Sequence, residues 1–163
     1  MKYRNLFNIK NKVSIVTGAA GILGKEFSVA LAENGSHVAL IDIDQRSIDK
    51  LSRSLAKKYN IKSKGYTCDV SNENSVKDTV IHIEKDIGKI DILLNNAATK
   101  TESLKEFFMP LEKYSLDTWR EIMDVNLTGM YIMAKEVGSR MAKRKKGSII
   151  QMSSIYSSSM AAD

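Results

Sequence analysis

Apolar positions along this chain follow two alternating rhythms. Short unbroken runs at 13–16, 37–41, 64–67, 90–94 and 148–152 have the length and make-up of strands covered on both faces. Between them, apolar residues recur three and four apart. Segment 22–34 sets Leu23, Phe27, Ala30 and Leu31 on one helical face and is closed by Gly35. Segment 45–59 aligns Ile48, Leu51, Leu55 and Tyr59, and Ser71 is placed to cap a helix with the stripe Val76, Val80, Ile83 and Ile87. A long helix is predicted over 119–142. It is apolar around most of its circumference, through residues such as Ile122, Val125, Leu127, Met130, Met133 and Val137. One side of it can pack on the sheet. The other is explained by a partner subunit or by a flexible, Met-rich inner helix. Strands alternating with helices predict an α/β fold: a Rossmann-type, doubly wound parallel sheet with helices on both faces. The 163 residues suit a single domain.

The richest stretch is 17–24, Thr-Gly-Ala-Ala-Gly-Ile-Leu-Gly, between the first strand and the first helix. Glycines in such a turn let backbone N–H groups approach a ligand, and the helix N-terminus favours negative charge. The usual occupant is a dinucleotide diphosphate; the alternative is a tight turn that holds nothing. Asp42 closes the second strand, eighteen residues past Gly24. A carboxylate at about this distance accepts from the adenosine ribose hydroxyls and repels a 2′-phosphate.

Composition narrows the classes. Net charge is +6, but much of the excess lies in Arg140, Lys143, Arg144, Lys145 and Lys146, where cations complement the end of a helix. No aromatics interleave with these cations, so no nucleic-acid partner is expected. No run of 18 apolar residues is present, so no membrane span is expected, and residues 1–8 lack a signal core. The one cysteine, Cys68, can form no internal disulfide, and cytoplasm is the expected compartment. No metal site is expected.

The motifs together resemble the short-chain dehydrogenase/reductase family. They are the 17–24 turn, Asp42, Cys68-Asp69-Val70, Asn95-Asn96-Ala97-Ala98, Asn126 within 124–129, and 147–154 ending in Ser153-Ser154. The resemblance implies NAD as cofactor, held by Gly18, Ala20, Gly21, Ile22, Leu23, Gly24, Asp42, Ile43, Asp69, Val70, Asn96, Ala97 and Ala98. Within this set Asp69 contacts adenine, and the small residues after Asn96 let backbone approach. It implies catalytic roles for Asn126, which kinks its helix and holds a water in a proton relay, and for Ser154, which hydrogen-bonds the substrate carbonyl, with Ser153 as the fallback. The implied reaction is hydride transfer between nicotinamide and a small alcohol or carbonyl compound, by guess a sugar or polyol. The implied assembly is a dimer or tetramer built on the long helix.

Three departures stand out. Ile22 occupies the sixth position of the turn, where the common pattern Thr-Gly-x-x-x-Gly-x-Gly has glycine, and Gly21 comes one earlier. The connection after Ala98 is long and holds Phe107-Phe108-Met109-Pro110, suited to a substrate wall or an interface. The family's Tyr-x-x-x-Lys is missing downstream of the serine: Tyr156 is the only later tyrosine, and Met160 stands four residues on. The expectation is a domain truncated after about the fifth strand, incomplete at its C-terminus and without turnover of its own. The alternative is a non-catalytic dinucleotide-binding module. A nucleic-acid binder, resting on charge alone, ranks last.

Overall fold

The computed structural model describes residues 7–100 and 109–154. Five parallel strands form one sheet in the order β3-β2-β1-β4-β5. They are β1 Val13–Thr17, β2 His37–Asp42, β3 Ser63–Thr67, β4 Ile92–Asn95 and β5 Ser148–Gln151. The central strand β1 lies between β2, with Ile15 beside Ala39, and β4, with Ile15 beside Leu93. The order reverses direction at β1, and such a switch point leaves a crevice beyond the carboxyl ends of the strands.

The alternation of side chains along each strand builds two cores. Val16, Val38, Leu40 and Leu94 point to the face covered by α1 (Ile22–Glu33) and α2 (Gln45–Tyr59), where they meet Ala32, Ile48 and Leu55. Val13, Ile15, Ala39, Ile41 and Leu93 point the other way. There they pack on Val76, Val80 and Ile83 of α3 (Glu73–Asp86) and on Met133, Val137 and Met141 of α5 (Met130–Arg144).

Four local expectations are corrected. Of the predicted face of α1, Phe27 and Leu31 pack half-buried against the core, but Leu23 and Ala30 are exposed, and the residues fully buried are Gly24, Ser28 and Ala32; the closest approach to the sheet selects small residues over large apolar ones. Helix α3 is capped by Asn72, whose side chain accepts from Ser75 N, because the Ser71 amide and hydroxyl are both given to Asp69 Oδ1. The predicted 119–142 helix is instead three pieces: α4 (Leu116–Met123), a π-helical turn (Asp124–Gly129) and α5. Among the described residues, strand β5 is not covered on both faces: all four of its residues are exposed.

Candidate active site

The turn from Thr17 to α1 is shaped by two glycines that cannot be replaced without displacing backbone. Gly18 has φ +65°, and a Cβ there would lie 2.8 Å from Ala97 Cα. A Cβ on Gly24 would lie 2.0 Å from the Gly18 carbonyl oxygen. Gly21 is the N-cap of α1 and contributes no side-chain hydrogen bond. The first N–H groups of the helix therefore lack a side-chain cap, which is the arrangement that accepts an anion. Ile22 is 86% exposed and Leu23 is exposed beside it, so the branched residue at the family's glycine position stands out into solvent.

The turn is braced from both sides. Towards β2, Asp42 Oδ2 accepts from Ala20 N at 2.9 Å, and Asp42 Oδ1 accepts from Asp44 N at 3.0 Å. Towards β4, Thr17 Oγ1 accepts from Asn96 N and Ala97 N, both at 2.9 Å. The Asn96 amide returns a bond to Thr17 O at 3.1 Å.

Between these braces opens a cavity of about 270 Å³. Seven of the residues expected to bind cofactor line it: Gly18, Asp42, Ile43, Asp69, Val70, Ala97 and Ala98. Ala20, Gly21, Ile22, Leu23 and Gly24 form the turn and helix start beside it, and Asn96 holds that turn. Ile43 is exposed at the rim. Asp44 caps α2, and the Ser47 hydroxyl and amide hold its carboxyl below the usual carboxylate range, so it is charged at neutral pH. Cys68, in the wall, is a buried thiol; burial pushes its pKa up, so it stays protonated.

Asn126 lies in the π-helical turn. Its amide makes a reciprocal pair with the Thr99 backbone: Thr99 N donates to Oδ1 at 2.7 Å, and Nδ2 donates to Thr99 O at 3.0 Å. The pair ties the helix to the segment after β4, at the cavity edge formed by Thr99 and Val125. A second amide links three elements. Buried Asn95 donates to Met130 O at 3.0 Å and to Gln151 Oε1 at 2.6 Å. Gln151 ends β5, and exposed Ser153 and Ser154 follow it. Phe107, Phe108, Tyr156 and Met160 lie outside the described residues.

Thr17, Asn95, Thr99 and Gln151 organise the site but were not singled out from the sequence. The signal for Thr17, Asn95 and Gln151 was their place inside the quoted motifs; Thr99 had none. One tyrosine and lysine do stand four apart, Tyr131 and Lys135 on α5. They precede β5, Tyr131 is exposed, and Lys135 is ion-paired to Glu73 at 2.7 Å. Among the described residues no group of three or more His, Cys, Asp or Glu is arranged to hold a metal, and no helix is long and apolar enough to cross a membrane.

Comparison with known proteins matches residues 12–162 to the family model described as short chain dehydrogenase. Sorbose reductase of Candida albicans is 36% identical over 93% of this chain and 52% of its own length. The crystal structure of NAD+-bound xylitol dehydrogenase superimposes with a TM-score of 0.84 at 31% identity, over 92% of this chain and 55% of that one. NADPH-dependent 3-quinuclidinone reductase from Rhodotorula rubra gives 0.85 at 30% identity, over 95% and 56%. The chain thus spans about half the length of the relatives it matches.

Proposed function

The chain belongs to the short-chain dehydrogenase/reductase family, and on that premise we propose that it binds NAD(H) at the carboxyl ends of β1, β2 and β4. It forms the cofactor-binding part of an oxidoreductase acting on a small alcohol or carbonyl compound, a sugar or polyol in view of the relatives named for sorbose and xylitol. The observation that carries this reading is one cavity in which a close-packed glycine turn and the Asp42 carboxylate stand side by side. These residues fit a dinucleotide. A Cβ at Gly18 or Gly24 would collide with the cradle itself, and the α1 N-terminus has no side-chain cap to compete with a diphosphate.

When bound, the nicotinamide supplies or accepts the hydride. Asp42 accepts from the adenosine ribose hydroxyls, and Asp69 accepts from the adenine amino group. Asn96, Ala97 and Ala98 let backbone approach the cofactor. Asn126, in the π turn and anchored to the Thr99 backbone, would hold a water of the proton relay. Ser154 donates to the substrate carbonyl oxygen. The relatives' names include both NAD+ and NADPH; preference for NAD rests on Asp42 and charged Asp44, which together oppose a 2′-phosphate, and on the lack of an arginine at 43 or 44.

The test is to measure dissociation constants for NADH and NADPH. NADH binds more tightly, and Asp42→Ala narrows the gap; tighter NADPH binding refutes the assignment. Downstream of Ser154 these 163 residues contain no Tyr-x-x-x-Lys, so the chain alone is expected to give no turnover. NADH production by it that Ser154→Ala abolishes overturns that expectation. The same reading places the protein in the cytoplasm as a homo-oligomer, with exposed Leu127 and Tyr131 at the subunit contact.

A further inference from the structure

Asp42 is engaged before any ligand arrives. Its two carboxylate oxygens accept backbone N–H groups from different elements: Ala20 in the glycine turn and Asp44 at the start of α2. The strand end is fixed as well, because Ala19 N donates to Ile41 O at 3.1 Å and Cys68 N donates to Asp42 O at 3.1 Å. The carboxylate therefore ties a fixed strand end to the turn through one oxygen and to the start of α2 through the other.

We propose that Asp42 is a positioning residue for the diphosphate-binding turn, in addition to any contact it makes with ribose. A carboxylate offers about four lone-pair positions. The two N–H groups take half of them, and the other half suits the two hydroxyls of an unmodified ribose. Ribose recognition and turn order are then one event, carried by one side chain. Substitutions at 42 intended to admit a 2′-phosphate also loosen the turn, and so weaken binding of cofactor parts that never reach Asp42. This consequence rests on the NAD reading above; the clamp on Ala20 does not.

The experiment uses the chain without cofactor, as wild type, Asp42→Ala and the near-isosteric Asp42→Asn. Hydrogen exchange is followed at the Ala20 amide, and binding is measured for nicotinamide mononucleotide, which has a phosphate but no adenosine, and for NADH. Loss of a charge-assisted hydrogen bond predicts Ala20 exchange faster by roughly ten- to a hundredfold, with nicotinamide mononucleotide weakened alongside NADH. If both variants weaken NADH while Ala20 exchange and nicotinamide mononucleotide binding stay at wild-type values, Asp42 acts on ribose alone and the proposal is overturned. If Ala20 exchange accelerates but the wild type binds neither ligand, the clamp stands and the cofactor reading fails. In the wild type itself, an Ala20 amide exchanging at the rate of an unprotected loop amide overturns the clamp whichever variant folds.

Discussion

Gly24→Ala is the most exacting test of the turn. The added Cβ would sit 2.0 Å from Gly18 O, 2.8 Å from Gly18 C and 2.9 Å from Ala19 Cα. All three obstacles are backbone, so no rotamer change relieves them. Restoring a tolerable separation of about 3 Å from the oxygen needs a shift of about 1 Å between α1 and the turn. Overpacking of this kind costs about 1–3 kcal/mol, and a backbone obstacle belongs at the upper end. Helix propensity returns up to about 1 kcal/mol, because alanine is the better helix former. The net is a loss of about 2 kcal/mol, or about 4–8 °C in Tm for a chain of this size. Thermal unfolding by circular dichroism reads it, together with titration of NADH, whose affinity falls because the turn amides are displaced. Gly21→Ala is the control: its Cβ would lie 3.3 Å from Gly18 O, and its φ of −70° suits any residue. That variant is expected to stay within about 0.5 kcal/mol of wild type. A Gly24→Ala chain with unchanged Tm and NADH affinity, or a Gly21→Ala chain equally damaged, refutes the steric reasoning.

Three further outcomes are expected. Asn126→Ala removes both bonds to Thr99 and leaves a partly buried N–H and carbonyl without their partner; denaturant unfolding should show a loss of about 1–3 kcal/mol. Leu127→Lys or Tyr131→Lys should lower the mass measured by light scattering if the exposed helix face joins subunits, whereas Met133→Lys, fully buried on the sheet, should unfold the chain; a monomeric wild type sinks the interface. Asp44, Glu73 and Asp86 have carboxyl pKa values lowered by Ser47, Lys135 and Lys64 respectively. Their stabilisation is therefore present above the ordinary carboxylate range and is lost as pH falls through their folded-state values; Asp86→Asn should flatten the acid limb of a Tm-against-pH profile.

What the sequence revealed follows from which forces leave a periodic trace. Runs such as Ile15–Val16 and Val38–Ile41 register as strands because both faces are buried, and the Gly18-to-Asp42 spacing reports a turn and a strand end that do lie together in space. The face of α1 was read in part: Phe27 and Leu31 pack on the core, but hydropathy also pointed to Leu23, which is exposed, and missed that the closest approach to the sheet is made by Gly24, Ser28 and Ala32. The π turn left no trace in the apolar pattern, since one extra residue per turn disappears in a stretch already apolar on most sides; only the family resemblance set a kink at Asn126, inside that turn. The cap on α3 went to Asn72 rather than Ser71 because of Asp69, a choice between adjacent polar residues that pattern alone cannot make. The bridge from Asp42 to Ala20 joins residues twenty-two apart and follows from the closed fold rather than from local sequence.

The two margins of the sheet differ in how they meet another molecule. At the β3 margin, Lys64 is engaged with Asp86 and with the Tyr66 ring, and charge discourages a further strand. At the β5 margin, Ser148–Gln151 is exposed, and beside it Phe27, Leu31, Leu94, Ile150 and Met152 line an apolar groove of about 440 Å³. Among the described residues, the β5 margin is thus the apolar one and the β3 margin the charged one, so a contact between copies made through the sheet would meet less resistance at β5. Ile150→Lys would put a charge on that apolar margin and leave a contact built on Leu127 and Tyr131 untouched, so if copies associate, the lysine that lowers the mass identifies the surface that joins them.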